Sequence, residues 1–207
     1  MGIAFLKSIL AGRRNKNKKG PEGQAAGMET RSFKDDQANE KAFDAVNRGV
    51  LDVPLEQIIG SVGRYNDFDG RFRIKSHVPP ERLQKIKDAL RRGKHLPPVK
   101  LYQIKDEYYV LDGNHRVAAA KEFGHDNIKA QILEFIPSSN TLENILYREK
   151  RDFKKETGLA EPIDLTEIGQ YNYLKRQIKS HQDHMQGATR KRISLSQAAE
   201  DWFRTIY

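Results

Sequence analysis

The sequence predicts an α+β fold. A small mixed sheet with its helices occupies residues 51–136, and a helical subdomain follows in residues 137–207. Three observations lead there. Short runs rich in β-branched and aromatic residues, "PPVKLYQI", "EYYVL" and "NIKAQILEF", lie in the middle of the chain. Segments with apolar residues at helical spacing lie between them, closed by glycines. From residue 138 onward the apolar spacing is helical.

Residues 1–27 read as a flexible basic tail. A short apolar stretch (Ile3, Phe5, Leu6, Ile9, Leu10) is joined to "GRRNKNKKGPEGQAAG". This is either a disordered leader or a weak anchor for an anionic surface: membrane, RNA or an acidic partner. Residues 28–50 read as a helical arm, with Phe33, Ala38, Ala42 and Val46 loosely on one face and Gly49 as its stop. "VLDVPLEQIIG" reads as a short strand and turn, and "SVGRYNDFDGRFRIKSH" as a loop. "VPPERLQKIKDALRRGKH" is a helix: prolines suit its first turn, Leu83, Ile86 and Leu90 share a face, and Gly93 ends it. The strands "PPVKLYQI" and "EYYVL" flank a Lys-Asp turn as a hairpin, "NHRVAAAKEFG" is a helix that stops at Gly124, and "NIKAQILEF" is the last strand.

Beyond it, "SSNTLENILYREKRDFKKETG" has caps at one end and glycine at the other. The next helix opens on a pair resembling a capping box, Asp164 and Glu167, with Ile168, Tyr171, Leu174, Ile178 and Met185 near one face. "SLSQAAEDWFRTIY" begins another helix. These helices are expected to pack as a unit against the core or a second copy of the chain, as in a homodimer.

Composition narrows the function. The chain lacks cysteine, so disulfides, zinc-thiolate sites and cysteine nucleophiles are excluded. No apolar run approaches the ~20 residues of a membrane span. The apolar start is followed by charge instead of preceded by it, the wrong order for a secretory signal. A cytoplasmic location is the expectation. Of the formal net charge of +9, six charges lie in residues 1–20, leaving +3 for the remainder. Nucleic acid is therefore a partner for the tail more than for the body.

The chemistry gathers at a strand-to-helix corner, Asp112-Gly113-Asn114-His115-Arg116. A strand that turns through Gly113 into a helix presents free backbone N–H groups, and these and the helix dipole favour an anion. Gly113 removes the side chain that would block close approach. Arg116 can add a forked contact to phosphate oxygens, and Asn114 and His115 can donate hydrogen bonds. Asp112 beside phosphate is costly unless it holds Mg2+ or accepts a proton. The competing reading is an aspartate N-cap with a surface histidine and arginine. Elsewhere, His181, Asp183 and His184 read either as a metal cluster or as exposed polar helix, "REKRDFKK" as a solvated face, and "TRKRIS" as a short basic turn.

Segment 51–135 resembles the ParB/sulfiredoxin-like superfamily in the order "VPLEQI", a loop with an arginine, "VPPERLQKIKDALRRG", "LPPVKLY", "YYVLDGNHRVAAAKEFG" and "IKAQIL". The corner is similar to the Asp-Gly-His-His-Arg signature of the free-serine-kinase branch. ParB proteins carry Gly-Glu-Arg-Arg there, and sulfiredoxins Gly-Cys-His-Arg. The resemblance implies nucleotide phosphates bound at Gly113, Asn114, His115 and Arg116, with CTP in ParB and ATP or ADP in the others. Arg64 resembles the arginine of the ParB loop.

The departures matter as much. Asn114 stands where sulfiredoxin needs its cysteine, which excludes that activity. No helix-turn-helix is recognisable in 138–207, and His115 replaces the second corner arginine of ParB. The glutamate that free-serine kinases use is unmatched in "GSVGRYNDFDGRF", where Asp67 or Asp69 could substitute. Three functions follow from the resemblance. One is a kinase or NTPase using ATP or another nucleoside triphosphate with Mg2+, acting on a small-molecule substrate, with Asp112 and His115 catalytic and Asp112 on the metal. The others are a ParB-like DNA-associated regulator switched by nucleotide, and a nucleotide sensor without turnover.

Overall fold

The computed structural model describes residues 29–207, and the basic tail lies outside the described residues. The chain divides into two compact units, the first ending at Ser139 and the second comprising Asn140–Tyr207. In the first, the elements run β1 (Arg31–Ser32), α1 (Phe33–Glu40), β2 (Asp44–Pro54), β3 (Ile58–Ser61), α2 (Glu81–Arg91), β4 (Val99–Ile104), β5 (Glu107–Asp112), α3 (Asn114–Glu122) and β6 (Asn127–Ile136). The second holds α4 (Leu142–Thr157), α5 (Gln170–Thr189) and α6 (Leu195–Thr205). The fold is α+β with a mixed six-stranded sheet ordered β1-β3-β5-β4-β6-β2.

The hairpin β4–β5 is antiparallel and turns at Lys105, which takes a left-handed φ of 54°. β4 runs parallel to β6 and β5 parallel to β3, so the strand that ends in the corner is central in the sheet. Two clusters of side chains sandwich the sheet. One joins Leu83 of α2 and Val117–Ala120 of α3 to Val99, Leu101, Val110, Ala130 and Ile132. The run of alanines lets α3 lie close to the strands. The other gathers around Phe33 of α1, whose ring meets Tyr102, Tyr109 and Phe135 edge-on at centroid distances of 4.9, 5.4 and 5.0 Å.

The expected helical arm over 28–50 is corrected. Only Phe33–Glu40 is helical, and residues 44–54 form β2. The helix ends where Lys41 turns left-handed (φ 50°), with the amides of Lys41 and Ala42 closing on Ala38 and Gln37 carbonyls. β2 then pairs antiparallel with β6 from Asp44↔Ile136 to Pro54↔Asn127, with a bulge between Asn47 and Gly49. That ladder outweighs the weak helical spacing, and the expected core boundary at residue 51 falls inside the strand.

In the second unit, Phe153, Tyr171, Leu174, Ile178 and Trp202 are buried together. α4 is capped by the Thr141 hydroxyl, which accepts from the Asn144 amide, and ends at left-handed Gly158. The expected cap at Asp164 and Glu167 is a second correction. α5 begins at Gln170, behind left-handed Gly169, whose amide donates to the Glu149 carboxylate of α4. Asp164 instead pairs with Lys150, and Ile168 lies exposed ahead of the helix. The capping box of this unit is at α6, between Ser194 and Gln197. Among the described residues no helix is long and apolar enough to cross a membrane.

Candidate functional site

β5 ends at Asp112, Gly113 turns the chain with φ 107° and ψ 22°, and α3 begins at Asn114. A Cβ on Gly113 would stand 2.6 Å from Val99 Cγ1 and 3.0 Å from Arg116 Nε and Nη2. Glycine is therefore required twice, for its φ and for the space. No side chain caps the start of α3. The Gly113 carbonyl takes the amides of Arg116 and Val117, so the amides of Asn114 and His115 have no acceptor inside the helix.

Arg116 is committed to the corner itself. Its Nη1 donates to the carbonyls of Pro97 (2.6 Å) and Pro98 (3.0 Å), and its Nη2 to Asp112 Oδ2 (2.7 Å). The guanidinium thus ties the entry of β4 to the exit of β5. Of its five N–H donors, two stay outside these bonds. Asp112 is correspondingly the counter-charge of Arg116, with a half-exposed side chain.

His115 and Asn114 are buried, and His115 Nδ1 and Asn114 Oδ1 find no partner among the described residues. Such buried atoms demand an explanation, and a ligand at the corner is one. The His115 ring meets Phe68 edge-on at 5.5 Å. Burial lowers its pKa from the ordinary histidine value, and the positive charges of Arg82 and Arg64 lower it further, against a smaller opposing effect of Asp67. Burial first, and then the two arginines, favour the neutral imidazole.

Arg64 stands in the loop after β3. Its amide donates to the buried Ser61 hydroxyl (3.2 Å), which itself donates to the Val110 carbonyl of β5 (3.1 Å). Its side chain is half exposed and lies 3.7 Å from Asp67. Arg64, Arg82, Ile86 and Leu111 line a cavity of about 200 Å3 with the five corner residues. Every residue singled out in the sequence as nucleotide-binding is therefore brought to one place. Arg82, on the first turn of α2, escaped the sequence reading. It sits four residues before Ile86, on the stripe of α2 that turns toward β5, and that spacing was the available signal.

Other candidates resolve differently. Asp69 accepts from the amides of Arg71 and Arg73 and from Arg73 Nε, each within 2.9 Å. Burial works against its charge, but these bonds together outweigh it and leave its pKa below the usual carboxylate value. Asp69 is thus the staple of the loop and no substitute acid. Asp67 remains beside the site, near Arg64 and 3.6 Å from His77. His181 binds Asp201 across α5 and α6 at 2.7 Å, and among the described residues no group of three or more His, Asp or Glu is placed to hold a metal.

A family model described as the ParB N-terminal domain matches residues 44–149, just over half of the chain. No curated protein matches it. Among solved structures, the chain is similar to sulfiredoxin from Arabidopsis thaliana, with TM-score 0.31 and 19% identity over 40% of this chain and 82% of that one. It is similar to the C-terminally truncated chromosome-partitioning protein ParB from Caulobacter crescentus complexed with CTP-gamma-S, with TM-score 0.31 and 14% identity over 72% and 71%. A Pnob8-like ParB-N domain gives TM-score 0.28 and 12% identity over 72% and 51%.

Proposed function

The chain belongs to the ParB N-terminal domain family, and from that premise we propose that it binds a nucleoside triphosphate at the corner between β5 and α3. One observation carries the reading: Asn114 and His115, whose amides have no acceptor among the described residues, line one cavity with Arg64 and Arg82. Amides and cations at a helix start favour an anion. The amides of Asn114 and His115 bind phosphate oxygens, Arg64 and Arg82 neutralise them, and Arg116 positions the turn. Asp112 is the corner's carboxylate, and one of its oxygens is held by Arg116. That donor set suits only a Mg2+ ion that arrives on the nucleotide phosphates, with Asp112 contributing its other oxygen.

A phosphotransfer reading of the free-serine-kinase kind is favoured by Asp67, the carboxylate beside Arg64 that acts on His115. In it Asp67 accepts the proton of a small-molecule hydroxyl, and neutral His115 donates a hydrogen bond to the phosphoryl group. The site as built serves binding first. Nucleic acid contact falls to the basic tail.

Calorimetry with ATP, CTP, GTP and ADP, with and without Mg2+, tests the proposal. Arg64→Ala and Arg82→Ala are each expected to weaken triphosphate binding by about 1.5–3 kcal/mol, roughly ten- to a hundredfold, with unchanged melting temperature. Wild-type affinity in both variants, or no nucleotide binding by the intact chain, defeats it. Turnover that disappears in Asp67→Asn while binding persists selects the enzyme reading.

A further inference from the structure

We propose that the groove between α2 and α3, beside residues 71–74, is a second ligand site, for a small organic anion with an apolar body. The groove encloses about 460 Å3, within the ~300–1,000 Å3 usual for small-molecule sites, and shares no lining residue with the corner cavity. Phe72, Ile74, Leu83 and Ala118 form its floor. Cations form its rim, and they are not equally satisfied. Arg73 is paired with Asp69, and Lys87 with Glu122. For Arg71 and Lys121 no carboxylate lies within ion-pair distance among the described residues. Two cations without counter-ions over an apolar floor complement a carboxylate or sulfonate on a hydrophobic body. An inorganic anion alone would leave the floor uncovered.

Lys121 is the residue on which selectivity turns. Its Nζ donates to the Ile58 carbonyl (2.9 Å) and lies 4.8 Å from the centre of the Phe72 ring. Two of its three N–H donors stay available to a ligand. Phe72 itself holds a left-handed φ of 60°, a conformation costly for an aromatic residue, and its buried ring lies against the amine. Burial brings the Lys121 pKa down to about 8, against the weaker pull of Asp69. The charged groups around it are Asp69, Arg71 and Arg73 from the loop, Lys87 from α2 and Glu122 from α3. Burial disfavours the ammonium, so an anionic ligand beside it is held most tightly while Lys121 is protonated. Affinity therefore falls as pH rises through about 8.

The probe is 8-anilinonaphthalene-1-sulfonate, titrated by fluorescence into the full chain. The expected result is one saturable site. Lys121→Met weakens it by about tenfold or more, the scale of a lost charged hydrogen bond. Gln84→Trp, at an exposed rim position clear of the core, blocks it without change in melting temperature. Between pH 7 and 9 the affinity falls in the wild type and stays level in Lys121→Met. Wild-type affinity in both variants overturns the proposal. So does displacement of the dye by ATP together with loss of binding in Arg82→Ala, which would put the dye in the corner.

Discussion

Replacing Gly113 with alanine tests whether the corner is built as described. Two costs are expected. The left-handed φ of 107° is sparsely populated for any residue with a Cβ, a strain of about 1–3 kcal/mol. The new methyl would also stand 2.6 Å from Val99 Cγ1. Val99 is fully buried in β4 and stiff at χ1, so overpacking adds about 1–3 kcal/mol. The sum is about 2–6 kcal/mol. Gly124→Ala is the control: its φ is 69°, but nothing lies within 4 Å of the added Cβ, so only a left-handed penalty of about 1–2 kcal/mol applies. Urea denaturation of the two variants reads the packing cost as the larger part of their difference. Nucleotide affinity should also fall in Gly113→Ala, because the same methyl crowds Arg116 Nε and Nη2. Equal destabilisation by the two substitutions would refute the close approach of Val99 and with it the geometry assigned to the site.

Arg116→Lys removes the fork that reaches two proline carbonyls and Asp112, so stability should drop by about 1–3 kcal/mol in denaturant titration while nucleotide affinity falls less than in Arg82→Ala. The reverse order would make Arg116 the phosphate ligand. The lowered pKa of His115 means that the unfolded chain takes up a proton near pH 6.5 that the folded chain refuses. Stability of the free protein should therefore decline as pH falls through that range. Bound phosphates favour the imidazolium, so nucleotide affinity should rise over the same descent, and both slopes should flatten in His115→Asn. A wild-type profile identical to that of the variant rules His115 out as their source. In the C-terminal unit, Trp202→Ala should cost about 3–5 kcal/mol, read as a lower melting transition of the helical signal, since Trp202 is 1% exposed among Phe153, Leu174 and Ile178. A loss below about 1 kcal/mol would mean that the indole is not the core of that unit.

What the sequence made legible was what neighbours in sequence decide. The hairpin turn at Lys105, the start of α2 behind Pro80 and the stop of α3 at Gly124 all rest on residues a few positions apart, and all appear where local rules put them. What was missed rests on distant partners. β2 exists because β6, some 80 residues later, offers a ladder along its whole length. α5 begins at Gln170, behind Gly169, whose amide is held by a glutamate of another helix. Arg82 reaches the corner only once α2 packs against α3.

The same distinction explains the acid at the corner. A cation in the first turn of a helix is opposed by the helix dipole, by about 0.3–1 kcal/mol when exposed. Arg116 lies in that turn and is mostly buried, so it needs acceptors. Asp112, four residues back and across the glycine turn, supplies charge, and the carbonyls of Pro97 and Pro98 accept the remaining bonds of Nη1. The aspartate therefore answers the arginine first, through one of its two oxygens. With the two neutralised against each other, any attraction for an anion would come from the amides of Asn114 and His115 and from Arg64 and Arg82, which approach from other elements. The motif in the chain builds the turn, and the charge that would select a nucleotide is supplied by the fold around it.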